Sequence, residues 1–212
     1  YPQYKVLTST VGGKTVQQFP DTLSALEFIT ITGFVSVDGV NPATDFNGVV
    51  TPTIFDKAAV RNTLANDFNA SPVIPFQTQR NVIFKGPVSV TNGQFTFSFV
   101  VPKDINLAYG FGKISYYAKK NNSLIDAHGA LTNVIIGGFS ENPFTDDLGP
   151  QVRLYMNNEQ FVSGGITDEN PDMLAFIEDD IGINTVGTGI GHDITAVLDG
   201  NSSNPFILND FY

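Results

Sequence analysis

The stretch Val88-Ser89-Val90-Thr91-Asn92-Gly93-Gln94-Phe95-Thr96-Phe97-Ser98-Phe99 carries the clearest local signal in the chain. Its Asn-Gly pair predicts a two-residue β-hairpin turn, because both central residues of such a turn take a positive φ that these residue types tolerate. After the turn, phenylalanines occupy every second position and alternate with glutamine, threonine and serine. Because side chains alternate between the two faces of a strand, the phenylalanines are predicted to line a buried face.

Strand signals of a similar kind surround this hairpin. Residues 28–37 are nearly all apolar or β-branched, which favours a buried strand over a helix. Residues 49–55 form the next apolar run, and its proline predicts an edge position or a bulge. Residues 57–68 have weak helical spacing, and a loop excursion fits them equally well. Residues 112–119 alternate again and predict a further strand.

These patterns predict an all-β protein that contains an antiparallel β-sandwich and a second, smaller module. About seven strands joined by short turns are expected within residues 21–140, which is the number that a β-sandwich requires. Residues 1–20 are interpreted as a connector from an upstream domain and residues 141–149 as a linker. Residues 150–212 show four strand candidates, so they predict an incomplete immunoglobulin-like β module.

Composition narrows the classes of function. The 212 residues include no cysteine, which excludes a cysteine nucleophile, a disulfide framework and a thiolate metal site within this sequence. The formal net charge of −10, with only 11 Lys and Arg, argues against a nucleic-acid partner. No apolar run approaches the ~20 residues of a transmembrane helix. Eighteen Phe and seven Tyr with 15% charged residues are typical of β-rich extracellular modules.

No catalytic, cofactor-binding or metal-binding residues are predicted. His128 and His192 are the two histidines, but a Gly-x-Ser-x-Gly nucleophile elbow is absent, so a serine hydrolase site is not expected. His192 beside Asp193 is interpreted as a loop residue. The three glycines of the 187–191 run lack the Lys and Ser/Thr of a phosphate-binding loop, so a nucleotide cofactor is not expected either.

Acidic clusters are the remaining metal candidates. Three of them could offer oxygen ligands to Ca²⁺: Asp146-Asp147, Asp168-Glu169 and Glu178-Asp179-Asp180. None has the spacing of a calcium loop, so we interpret them as solvated acids that cap turns.

Several short segments of the sequence carry a resemblance to a known family. They are Leu154-Tyr155-Met156-Asn157, Gly182-Ile183-Asn184-Thr185, Gly189-Ile190-Gly191-His192-Asp193-Ile194, Leu198-Asp199-Gly200-Asn201 and Leu208-Asn209-Asp210-Phe211-Tyr212. Together they resemble the region after the catalytic domain in the PorU family, the gingipain-like, sortase-like cysteine peptidases of the type IX secretion system of Bacteroidetes. A weaker likeness extends to Tyr1-Pro2-Gln3-Tyr4-Lys5-Val6 and Asp45-Phe46-Asn47-Gly48.

The resemblance implies that the chain is a non-catalytic fragment of an exported protein. The catalytic Cys and His of the family would lie upstream, in a peptidase domain that would be the partner of this region. By the same resemblance, the parent protein would work with other type IX components at the extracellular face of the outer membrane. There it would remove the C-terminal signal of secreted proteins and attach them to an anionic lipopolysaccharide.

Two other functions remain open from the sequence. The chain could be a cell-surface adhesin or carbohydrate-binding β-sandwich that uses Tyr116, Tyr117 and Tyr155 as a stacking platform, or it could be a spacer. One further expectation concerns residues 206–212, which are predicted to form a strand whose partner lies downstream. Such an unpaired edge would either be poorly ordered or associate with a second copy of the chain.

Overall fold

A computed structural model of the protein describes residues 3–16, 22–66, 72–145, 148–179, 183 and 193–211. Within these ranges the regular structure is almost wholly extended. The strands are, in chain order, β1 (Tyr4–Val11), β2 (Lys14–Thr15), β3 (Thr22–Ala25), β4 (Phe28–Ser36), β5 (Gly48–Phe55), β6 (Ala59–Asn62), β7 (Pro75–Thr78), β8 (Val82–Lys85), β9 (Val88–Val90), β10 (Gln94–Val100), β11 (Gly110–Phe111), β12 (Lys113–Lys120), β13 (Asp126–Leu131), β14 (Ile135–Phe139), β15 (Gln151–Met156), β16 (Met173–Glu178), β17 (Thr195–Ala196) and β18 (Phe206–Ile207), with one 3₁₀ turn at Asn209–Phe211.

The largest sheet has nine strands, and its main path runs β10-β4-β1-β13-β12-β5-β8. β2 joins it beside β1, and β9 joins it beside β5. A second sheet has three strands in the order β11-β14-β3. The predicted all-β class is confirmed. The pairing is mostly antiparallel, as predicted, with two exceptions: β1 runs parallel to β13, and β14 runs parallel to β3.

The hairpin turn forms at the predicted place. Asn92 and Gly93 both have positive φ, 50° and 75°, and Thr91 bridges Gln94 across the turn. The two arms then diverge, because β9 pairs with β5 whereas β10 pairs with β4. Since β4 and β5 lie near opposite ends of the nine-stranded path, the turn draws those ends together as in a nearly closed barrel.

One hydrophobic core lies behind both of these sheets. The phenylalanines of β10 are buried as predicted, with Phe95, Phe97 and Phe99 exposed by 4%, 7% and 4%. The same core includes Leu23 of β3 and Ile136 of β14, so the three-stranded sheet contributes to it as well. Two sheets that share one core agree with the predicted sandwich.

Strand β1 corrects the prediction that residues 1–20 form a connector. It pairs with β4 on one side and β13 on the other, so it occupies an interior position of the largest sheet. Tyr4 is 7% exposed, packs against Phe46 in a tilted arrangement with 5.4 Å between ring centroids, and donates a hydrogen bond to Asp45. The alternation of buried and exposed residues in β1 could not reveal that both of its edges are paired.

Two further segments differ from the expectations. Residues 57–68 contain β6, which pairs with β7 in a two-stranded sheet, so neither a helix nor a plain loop describes them. Phe206–Ile207 pairs with Thr195–Ala196, and the 3₁₀ turn follows directly, so the strand predicted for residues 206–212 is shorter and has a partner within the chain.

Contacts divide the chain into two compact units. The first joins Tyr1–Phe144 with Thr185–Tyr212, and the second is Thr145–Asn184. The predicted module of residues 150–212 is therefore split by this division. Its immunoglobulin-like character stays a prediction.

Candidate functional site

His128, the histidine within the described residues, lies exposed on β13. Its partners across the sheet are Lys5 of β1 and Tyr117 of β12, so this face presents a lysine, a tyrosine and a histidine side by side. A serine or cysteine nucleophile is not among these neighbours. His192 and the glycine run of residues 187–191 lie outside the described residues.

Asp168 and Glu178, which belong to two of the acidic clusters, make local polar contacts. The Asp168 carboxylate accepts hydrogen bonds from the side-chain amide of Asn157 at 2.9 Å and from the backbone N–H of Asn170 at 3.1 Å. Glu178 forms an ion pair with Arg153 at 2.7 Å. Asp146, Asp147 and Asp180 lie outside the described part of the chain. Among the residues that are described, no three metal-ligating side chains come together.

Two of the three tyrosines predicted as a stacking platform, Tyr116 and Tyr117, lie on opposite faces of β12. Tyr116 is 2% exposed, packs against Phe95 at 5.7 Å and hydrogen-bonds the Thr8 hydroxyl at 2.8 Å. Burial raises the pKa of Tyr116 to about 12, although the Thr8 hydrogen bond acts in the opposite direction. Tyr117 follows it on the strand and is therefore on the other face, where it is 53% exposed. Tyr116 cannot take part in a surface platform.

Three of the segments that carry the family resemblance, within the described part of the chain, make hydrogen bonds at bends of the backbone. At the hairpin turn, the Gly93 N–H donates to the backbone oxygen of Phe46, and the Asn92 N–H donates to the side chain of Asn47. Asp45 completes this joint by accepting from Lys120 at 2.8 Å, a contact that lowers the pKa of Asp45 and raises that of Lys120. Through these hydrogen bonds, the segment Asp45-Phe46-Asn47-Gly48 holds the turn between β9 and β10, where the two ends of the nine-stranded sheet come together.

Asn157 plays the equivalent part in the second unit. It has a positive φ of 64° and ends β15. Its side-chain amide donates to Thr167 and Asp168, while its side-chain oxygen accepts from the Asp172 N–H at 2.9 Å. These bonds tie the long connection between β15 and β16 to the end of β15.

Asn209 does the same near the end of the chain. Its side-chain oxygen accepts from the Ile194 N–H at 2.9 Å, and the neighbouring Leu208 N–H donates to the Ile194 oxygen at 2.8 Å. In all three joints, an asparagine or aspartate satisfies backbone groups at a bend of the chain. In these three places the described hydrogen bonds hold the local backbone.

A buried ion pair, which the sequence did not suggest, anchors the three-stranded sheet. Lys57 lies 2.7 Å from Asp56, and their side chains are 13% and 7% exposed. The Lys57 ammonium also donates to the backbone oxygens of Asn106 at 2.7 Å and Ile136 at 3.2 Å, so each of its three N–H groups has an acceptor. These contacts hold the loop before β11 against β14.

Exposed apolar side chains lie on and beside this anchored sheet. Leu107, Tyr109, Phe111 and Phe139 are 50%, 71%, 61% and 52% exposed. Gly138, with a φ of 73°, leaves room for the Tyr109 ring, whose hydroxyl lies 2.3 Å from the position that a Cβ would occupy.

No helix in the described residues is long and apolar enough to cross a membrane. No protein-family model matches the chain, and no curated protein matches it.

A solved structure does match the chain. It is the crystal structure of dimeric latent PorU from Porphyromonas gingivalis, with 26% sequence identity and a TM-score of 0.64. The match covers 99% of this chain and 20% of that chain, so the present sequence spans about a fifth of the solved protein. The predicted resemblance is thereby confirmed, and from end to end the chain is similar to one region of PorU.

Proposed function

We propose that the chain is a non-catalytic β region of a sortase-like cysteine peptidase of the type IX secretion system. The observation that carries this proposal is the match of 99% of the chain to only 20% of PorU. The chain has no cysteine, so a cysteine peptidase would have to bring its nucleophile from elsewhere in a longer polypeptide.

The role that fits this region is mechanical support of a peptidase domain. The hydrogen bonds made by Asp45–Gly48, Asn157 and Asn209 hold strands and loops in place. The partners in this proposal are the peptidase domain of the same polypeptide and other components of the type IX system. The proposed location is the outer face of the outer membrane, where the parent protein would process and attach secreted proteins.

The test compares three purified proteins on a cargo protein that carries a C-terminal secretion signal. They are the full-length polypeptide, the same polypeptide with its predicted catalytic cysteine changed to alanine, and the 212-residue chain. We expect cleavage by the first protein alone, because a thiolate is the nucleophile of this reaction class. Cleavage by the 212-residue chain, or a full-length polypeptide without a Cys-His peptidase domain, would contradict the proposal.

A carbohydrate-binding module is the competing function, and the burial of Tyr116 removes one ring of its proposed platform. Binding of the chain to a glycan array, lost on Tyr117→Ala, would favour that function instead.

A further inference from the structure

The two methionines of the chain lie directly opposite each other in the β15–β16 hairpin. Met156 ends β15, Met173 begins β16, and the register pairs them. The neighbouring Asn157 N–H donates to the backbone oxygen of Asp172 at 2.7 Å, so the methionines form the adjacent, non-hydrogen-bonded type of pair. Side chains approach each other most closely across the strands in pairs of this type. The two thioethers are therefore cross-strand neighbours.

Both thioethers are accessible to a small oxidant. Met173 is 39% exposed, and Met156 is half-buried. The chain has no cysteine, so these two thioethers are its sulfur groups. Methionine is oxidised to its sulfoxide by peroxides. With hydrogen peroxide, the sulfur takes up one oxygen atom through a new S=O bond, the O–O bond breaks, the sulfur is oxidised, and the peroxide is reduced to water.

The methionines share their face of the hairpin with apolar side chains. The next pair on the same face is Leu154 with Ala175. A thioether is apolar, whereas a sulfoxide is polar. Oxidation of both methionines would place two S=O dipoles side by side on this apolar face and remove apolar contact between the strands. A two-stranded sheet is marginally stable in water, so the hairpin is sensitive to that loss.

The methionine pair lies where the connection of residues 157–172 leaves and re-enters the hairpin. Asn157, which follows Met156, ties this connection in place. Its side-chain oxygen accepts from the Asp172 N–H at 2.9 Å, and its side-chain amide donates to Thr167 and Asp168. Loosening the last pair of the hairpin therefore acts first on the residue that makes these bonds.

We propose that Met156 and Met173 form a peroxide-sensitive modification site, at which oxidation to sulfoxides releases the connection of residues 157–172 from the end of the hairpin. The inference goes beyond the proposed function and does not depend on it, because it uses only contacts within Thr145–Asn184.

Hydrogen peroxide is the probe, and the 212-residue chain is compared with two variants. Met156→Leu/Met173→Leu keeps an apolar pair of similar volume that lacks sulfur. The matched control adds Leu154→Met to that variant, which puts a thioether on the same face but away from the end of the hairpin. Peptide mass spectrometry measures the oxygen gained, circular dichroism verifies folding, and NMR hydrogen exchange follows the amides of Asn157 and Asp172. If the Leu variant is misfolded, Met156→Ile/Met173→Ile replaces it.

In the wild-type chain, both methionines should be oxidised at rates within about tenfold of that of free methionine. Exchange at Asn157 and Asp172 should then rise at least ~5-fold, and methionine sulfoxide reductases should reverse the rise. Exchange at Val35, whose N–H donates to the Gly93 oxygen in the larger unit, should keep its rate. Both variants should keep their exchange rates at Asn157 and Asp172 under peroxide.

Oxidation slower than this limit would overturn the proposal, because the thioethers would then be inaccessible. A smaller rise in exchange after complete oxidation would overturn it as well. An equal rise in the Leu154→Met control would show that any sulfoxide on this face has the same effect, which contradicts a special role for the pair. A rise in Met156→Leu/Met173→Leu would show that the peroxide acts at another residue, with the same consequence.

Discussion

Phe97 offers the most direct test of how the core holds the larger unit together. Its side chain is 7% exposed and stacks on Phe84 with 5.2 Å between ring centroids. Phe95 and Phe99 lie on either side of it, at 6.4 and 6.3 Å. Phe97→Ala would remove a ring that has aromatic neighbours on three sides.

The expected loss of stability follows from two contributions. Removing the buried ring forfeits about 2–3 kcal/mol of hydrophobic transfer free energy. The three neighbouring rings are rigid and cannot fully close the space, so a cavity contribution of about 1–2 kcal/mol is added. The free energy of unfolding should therefore fall by about 4 kcal/mol, within the usual range for Phe→Ala in a core.

Urea unfolding followed by tyrosine fluorescence measures this loss. The chain has no tryptophan, and six of its seven tyrosines lie outside Thr145–Asn184, so the signal reports mainly on the larger unit. Ser98→Ala is the matched control, because Ser98 points to the solvent side of the same strand and makes an exposed hydrogen bond to Thr30. The control should cost less than about 1 kcal/mol.

A loss below about 1 kcal/mol for Phe97→Ala, or one equal to that of Ser98→Ala, would refute the reasoning. Either result would mean that the face of β10 that carries the phenylalanines is not the buried one.

Three other predictions concern single positions. Gly93→Ala should destabilise the larger unit by at least ~1 kcal/mol more than Gly39→Ala in the same urea assay. Both residues have a positive φ. An added Cβ at Gly93 would lie 2.5 Å from a backbone oxygen, whereas one at Gly39 would meet nothing within 4 Å. Lys57→Met should lower the free energy of unfolding by about 3–5 kcal/mol, because it leaves the buried carboxylate of Asp56 unpaired. Lys120→Met, in the exposed pair with Asp45, should lower it by at most ~1 kcal/mol. Equal losses would contradict the role of the buried pair. Hydrogen bonds from the backbone and side-chain amides of Asn41, then from Val40 and Ser36, hold the pKa of Asp38 well below its ordinary 3.8. The contribution of Asp38 to stability is therefore present above pH 3.8 and lost as the pH falls below that value. The thermal unfolding temperature of Asp38→Asn should thus depend less steeply on pH below 3.8 than that of the wild type.

Local patterns in the sequence were enough to predict the elements that depend on neighbouring residues. The Asn92-Gly93 turn and the buried phenylalanines of β10 follow from residue type and alternation alone, and the structure confirms both. The all-β class follows in the same way. The segment Asp45-Phe46-Asn47-Gly48, which carries part of the family resemblance, contains a polar side chain that satisfies the backbone at the hairpin turn.

Pairing between distant strands could not be predicted in this way. β1 has the alternation of an ordinary strand, and only the folded chain places it between β4 and β13 rather than in a connector. Tyr116 and Tyr117 are identical in residue type. Their opposite environments depend on which side of the sheet holds the core, which requires the positions of all the other strands.

The sequence by itself therefore determined the turn, the alternation and the fold class, because these arise from backbone preferences and the burial of apolar side chains within a few residues. Only the tertiary structure decided that β9 and β10 part after the turn and that Lys57 reaches Asn106 and Ile136. Both features join residues that are far apart in the chain. Such contacts form because they satisfy backbone and charged groups that folding removes from water, and that requirement is set by the whole fold.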